Sequence, residues 1–172
     1  MKKYYVCYIL LLFLVACSNG EAESTESNED DTLQSKLNIA VVGSPPSVET
    51  DKVTYTTIEL SKLIKDNATL EEYDALFIMP DVFKEASQDK YTLSFKEVVI
   101  PTVFINTKKR HLPFVTEGMS YENAPKVIET DHFAVIYMYS GGEENREDIW
   151  YVEKKGSEEK NYQKLYERIE NL

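Results

Sequence analysis

Cysteine is nearly absent from this chain: its 172 residues include two, Cys7 and Cys17, both close to the start. The remainder can form no internal disulfide and no cysteine-based zinc site, and it offers no thiol nucleophile. Glycine and proline are scarce, six of each, which excludes a collagen-like repeat or a low-complexity chain. Positive charge is short as well: 19 Lys and Arg stand against 30 Asp and Glu, a formal charge of -11. Nucleic acid is therefore not an expected partner, because phosphate binding depends on Lys and Arg releasing counterions from the polyanion. No apolar run reaches the roughly 20 residues a membrane-spanning helix needs. What is present is a 42% hydrophobic chain with 12 Tyr and 7 Phe, enough for one core in one domain.

Lys2 and Lys3 precede an apolar run over residues 4–16, and Ser18, Asn19, Gly20 and Glu21 close it. A short basic start, a short hydrophobic stretch and a polar exit are the parts of an export signal. The run ends in Leu14, Val15, Ala16 and Cys17, which resembles the lipobox of bacterial prolipoproteins. That resemblance implies a signal peptide over residues 1–16, cleaved before Cys17, with the Cys17 thiol carrying diacylglycerol and palmitate-type acyl chains. Without the lipid, the same stretch reads as an ordinary secretory leader or an uncleaved anchor. Each buried CH2 of an acyl chain contributes about 0.8 kcal/mol, and more than one chain gives stable anchoring. The expected address is the extracytoplasmic face of the cell membrane, with the membrane a partner through the lipid alone.

Residues 18–36 are Ser, Thr, Asn, Glu and Asp with one isolated Leu33, six acidic groups and one Lys. Low hydrophobicity with net like charge predicts a disordered tether behind the acylated Cys17, and a flexible segment of that length reaches roughly 25 Å. The folded domain is expected over residues 37–172.

Residues 37–43 and 74–79 are short apolar runs ended by Gly43-Ser44-Pro45 and Pro80-Asp81, and 101–105 is a third ended by Asn106-Thr107. These read as strands buried on both faces. Residues 53–58, rich in Thr, Tyr and β-branched side chains, read as a strand nearer an edge. A short helix is expected near 60–64, and further helices over 82–87, with Asp81 as N-cap, and over 91–98. Alternation over 132–139 predicts a fifth strand, and the charged turn after it leads into 149–152 as an antiparallel hairpin. Ser157 is placed to cap a last helix whose Tyr162, Leu165, Tyr166, Ile169 and Leu172 share one face. The fold class expected is α/β, a mostly parallel three-layer sheet of the flavodoxin or Rossmann kind, with an antiparallel C-terminal hairpin and a C-terminal helix.

In such a sheet ligands bind beyond the carboxyl ends of the strands. Ser44, Asp81, Asn106, Thr107 and Lys108 would converge there and could hold a small polar ligand, although the same residue types end strands and cap helices in every α/β protein. Asp81 after the third strand superficially resembles a phosphoreceiver aspartate, but that family carries an acidic pair where this chain has Gly43-Ser44. No catalytic set stands out. Gly-x-Ser-x-Gly is absent, and Ser44 drawn into a triad with His111 or His132 rests on residues that any acidic chain with two His supplies. A metal site at Glu129, Asp131 and His132 is disfavoured, because strand alternation sends His132 to the opposite face. Lys108, Lys109, Arg110 and His111 form the one dense basic run, able to dock an anion or lie solvated in a loop. Tyr121, Tyr137, Tyr139, Trp150 and Tyr151 could form an exposed platform for a protein or glycan, or pack under the last helix. Residues 107–130 form a long loop, a common carrier of binding function.

The function expected is a non-enzymatic binding module at the cell envelope, its partner an envelope protein or wall component and no cofactor implied. The alternative is an envelope hydrolase or small-ligand enzyme working in the strand-end crevice.

Overall fold

The computed structural model describes residues 33–48, 50–65, 67–126, 131–141 and 146–172. The leader, Cys17 and the tether as far as residue 32 lie outside the described residues.

Six strands form one mixed sheet: β1 (Leu37–Val42), β2 (Val53–Thr57), β3 (Ala75–Ile78), β4 (Thr102–Ile105), β5 (His132–Gly141) and β6 (Arg146–Glu153). Their order is β2-β1-β3-β4-β5-β6. The pairs β1–β2, β1–β3 and β3–β4 are parallel, whereas β4–β5 and β5–β6 are antiparallel. The continuous apolar runs take the central positions, where both faces are covered, and Thr-rich β2 takes an edge as its composition predicts. Because β5 runs against β4, with Ile105 opposite Ala134, His132 stands at the same end as the carboxyl ends of β1, β3 and β4. Glu153, opposite His132, brings the end of β6 there too.

The helices are α1 (Lys62–Lys65), α2 (Phe83–Ala86), α3 (Asp89–Glu97), α4 (Leu112–Val115) and α5 (Glu158–Glu170). Strand pleating divides the core in two. Ile39, Val41, Phe77, Val103 and Ile105 pack with Tyr162, Leu165, Tyr166 and Ile169 of α5. The alternate residues Ala40, Val42, Leu76, Ile78 and Phe104 pack with side chains from α1 to α4, among them Leu63, Phe83, Phe95 and Phe114. α5 begins as expected, the Ser157 Oγ accepting from the Lys160 amide at 3.3 Å. Its apolar stripe stops at Ile169, however, since the helix ends at Glu170 and Leu172 beyond it is exposed.

Three local expectations are corrected. The tether does not reach Lys36: Leu33 is 3% exposed in the α5-side core, and Gln34 and Ser35 donate their amides to the Glu170 carboxylate. A single leucine in a polar stretch carries no periodic signal, so only the cavity it fills reveals it. Asp81 is not an N-cap. Pro80 starts a 3-10 turn over Pro80–Val82, and Val82 caps α2 without a side-chain bond; proline at a first helical position has no N–H to satisfy, so the Asp81 carboxylate is spent elsewhere. Finally, a bulge between His132 and Ala134 breaks the alternation of β5, putting Phe133 beside Ala134 and Ile136 instead of beside Tyr137.

Candidate functional site

Gly43 leaves β1 at φ +102°, and an added Cβ would stand 2.5 Å from Asp81 Oδ1 and 2.8 Å from Met79 Cβ. The backbone after β1 thus lies against the turn after β3. Ser44 uses that approach, donating its amide and its Oγ to Asp81 Oδ2 at 3.0 and 2.9 Å. Two of the five residues expected at the strand ends therefore meet. Next to them, between the ends of β1 and β2, an open cleft of about 400 Å³ is lined by Val42, Gly43, Thr57, Glu59, Ser61 and Glu85 among others.

The other three build a separate loop. Asn106 turns the chain at φ +52°, its amide bonded to the Phe133 carbonyl at 2.7 Å, and it lines a cavity of about 180 Å³ with Phe133, Lys154 and Asn161. Thr107 is buried and closes the turn, its Oγ1 donating to the Arg110 carbonyl and accepting from the Lys109 amide. Lys108 is exposed and its amide donates to Tyr121 Oη at 3.3 Å. Lys109, at the heart of the basic run, is buried, its ammonium donating to the carbonyls of Tyr121 and Glu122. It holds the loop closed on itself, so the run is not a uniform solvated patch.

His111 is 5% exposed and stacks on Tyr137 at 5.4 Å, its Nδ1 without a hydrogen-bond partner among the described residues. Burial lowers its pKa below the ordinary 6.5, with Arg110 adding to the effect and Glu147 opposing it. A base whose folded pKa is depressed binds fewer protons when folded than when unfolded, so stability rises with pH across that window. The protein is expected to be fully stabilised by this residue above pH 6.5 and to lose that contribution as pH falls through the lowered value. Urea midpoints across that range check it: His111→Phe, which keeps a ring on Tyr137, should flatten this limb, and an unchanged slope would refute the assignment.

Neither imidazole approaches Ser44. His111 lies on Tyr137 and His132 on Tyr151, and β1 is separated from β5 by β3 and β4, roughly 14 Å at ordinary strand spacing. The drawn triad is not assembled. Among the described residues no group of three or more His, Cys, Asp and Glu could hold a metal, and Glu129 lies outside the described residues.

A different set does converge, around Tyr151, which is 39% exposed on β6. The Arg110 guanidinium lies 5.5 Å from its ring centroid, and His132 stacks on it at 4.5 Å. Arg110 is held at φ +59°, an uncommon conformation for a non-glycine residue and one that often marks a functional position. Arg110 Nε and His132 Nδ1 are buried without a hydrogen-bond partner among the described residues. Tyr151 also borders a groove of about 330 Å³ lined by Val152, Glu153, Lys155, Lys164 and Arg168 as well. Glu153 is paired with Lys155, and Arg168 lies 5.5 Å over the Trp150 ring. Of the aromatics considered, Tyr137 is buried and Tyr121 packs on Phe83 and Phe114; Trp150 packs on the α5 side of the core.

Arg110 stands 45 residues before Lys155, which is why the sequence does not show it with the others. One signal was there: Lys160, Lys164 and Arg168 stand at i, i+4 and i+8, a basic stripe along α5. Comparisons with protein-family models, with curated proteins and with solved structures found no match. Among the described residues no helix is long and apolar enough to cross a membrane.

Proposed function

We propose that this protein is a lipid-anchored binding module of the cell envelope, held by Cys17 on the extracytoplasmic face, with the Tyr151 rim as the site for an anionic partner. The observation that carries the reading is the Arg110 guanidinium over the exposed Tyr151 ring, with Lys155, Lys164 and Arg168 lining the groove that Tyr151 also borders, on a chain of formal charge -11. Charge of the minority sign concentrated beside a flat aromatic surface favours a negatively charged ligand that can also stack. Strand order and the two core clusters support a three-layer body of the flavodoxin or Rossmann kind under this rim. The lipobox-like end of the leader supports the address.

Two arms test the reading on the full chain made in a bacterial host. Labelled palmitate should enter the protein and hold it in the membrane fraction, and Cys17→Ala should lose both label and membrane retention; an unlabelled wild-type protein overturns the anchor. In detergent, the protein should bind immobilised polyphosphate with an affinity that falls as salt rises. Lys164→Glu with Arg168→Glu should weaken that binding at least about tenfold, and indifference to both substitutions overturns the rim.

A further inference from the structure

β6 is the last strand of the sheet, and beyond it no further strand is paired among the described residues. In an antiparallel pair alternate residues turn both N–H and C=O away from the partner strand, so about half of β6 presents an outward row of donors and acceptors that no strand among the described residues uses. Natural edges are blunted by shortness, proline, bulges or inserted charge. β2, at the opposite edge, is short at 5 residues. β6 is 8 residues long without proline; the irregularities of its pairing with β5, at His132/Ala134 and Tyr139/Gly141, and its charges, Arg146, Glu147 and Asp148 before and Glu153 after, sit toward its ends and leave Ile149, Trp150, Tyr151 and Val152 uninterrupted. The groove beside it touches the consecutive residues Tyr151, Val152 and Glu153. Consecutive strand side chains point to opposite faces, so a cavity that reaches all three straddles the strand's edge.

We propose that the outer edge of β6 receives an extended acidic peptide segment of a partner protein as a seventh strand. This rests on the reading of the rim as an anion site and adds the chemistry and geometry of the partner. The main chain over residues 149–153 supplies the hydrogen bonds, while Lys155, Lys164 and Arg168 select Asp and Glu side chains, the division of labour of strand addition. An anionic polymer without amides answers the cations but not the alternating donors and acceptors. A second copy paired about a two-fold axis at the strand's centre would bring Arg168, which lies over Trp150, toward its own counterpart, a like-charge contact.

The test uses the full chain in detergent and a blocked peptide of alternating Glu and Val, matched to the 8 residues of β6. An alternating Lys and Val peptide and polyphosphate are the comparators. At saturation the Glu-Val peptide should slow amide hydrogen exchange within residues 149–153 at least about tenfold, and Lys164→Glu with Arg168→Glu should weaken its binding about tenfold, read from Trp150 fluorescence. The Lys-Val peptide should do neither. Should polyphosphate and the Glu-Val peptide bind while exchange over 149–153 stays unchanged, strand addition is overturned and the anion site stands. Binding of neither overturns both. Protection of β6 that appears without peptide and grows with protein concentration makes a second copy the occupant and overturns the acidic peptide.

Discussion

Phe104→Ala is expected to lower the unfolding free energy by about 4 kcal/mol, the cost of removing a large aromatic from a filled core. Phe104 is fully buried in β4 and stacks on Phe114 of α4 with ring centroids 4.1 Å apart and planes 11° apart. Its edge contact with Phe95 of α3, 5.7 Å between centroids, makes it the side chain on which two helices meet the sheet. Its loss leaves a cavity that α4, a helix of 4 residues anchored by Phe114 and Val115, must collapse into or leave empty. The urea midpoint should fall by roughly 2 M with the denaturant slope unchanged. Phe104→Leu, which fills most of the volume, should cost far less. A loss under about 1 kcal/mol for the alanine variant would mean that the aromatic cluster is not packed in this way.

Gly43→Ala is the second large effect, expected at about 3 kcal/mol from two sources that act together. At φ +102° an L side chain is strained whatever surrounds it, and here the new methyl also meets Asp81 Oδ1 and Met79 Cβ. Moving the carboxylate away relieves one contact but takes from Ser44 the acceptor of both its bonds. Met79 Cβ is fixed by the backbone and cannot yield in the same way. Adding Asp81→Ala to Gly43→Ala should therefore recover only part of the loss in urea unfolding. Full recovery would show that the side-chain contact, not the backbone, dictates glycine here.

The strands and the longer helices were readable from short-range pattern, whereas α4, a helix of 4 residues inside the expected 107–130 loop, was not. Runs such as 74–79 and 101–105 announce strands covered on both sides, and Tyr162, Leu165, Tyr166 and Ile169 announce the buried face of α5, because burial imposes a period that neighbouring residues alone express. The hairpin of β5 and β6 was readable from a connection too short for a helical crossover. The strand-end residues were readable as a set but not as partners. Ser44 and Asp81 meet because β1 and β3 are adjacent, while Thr107 is consumed in closing its own turn. A lone apolar residue such as Leu33 looks the same in the sequence whether it fills a core or hangs in solvent. The residue type of Asp81 suits a cap, yet Pro80 already starts the turn there.

The sequence by itself determined the strands and the longer helices, the acidic character of the chain and the expectation of a lipid at Cys17, all properties held within a few consecutive residues or in composition. Only the tertiary structure decided the strand order, the reversal of β5 against β4, the burial of Leu33 and the meeting of Arg110, His132, Lys155, Lys164 and Arg168 about Tyr151. Most of these depend on contacts between residues tens of positions apart. Their free energy is set by packing and loop closure across the whole domain, which leaves no local mark in the chain.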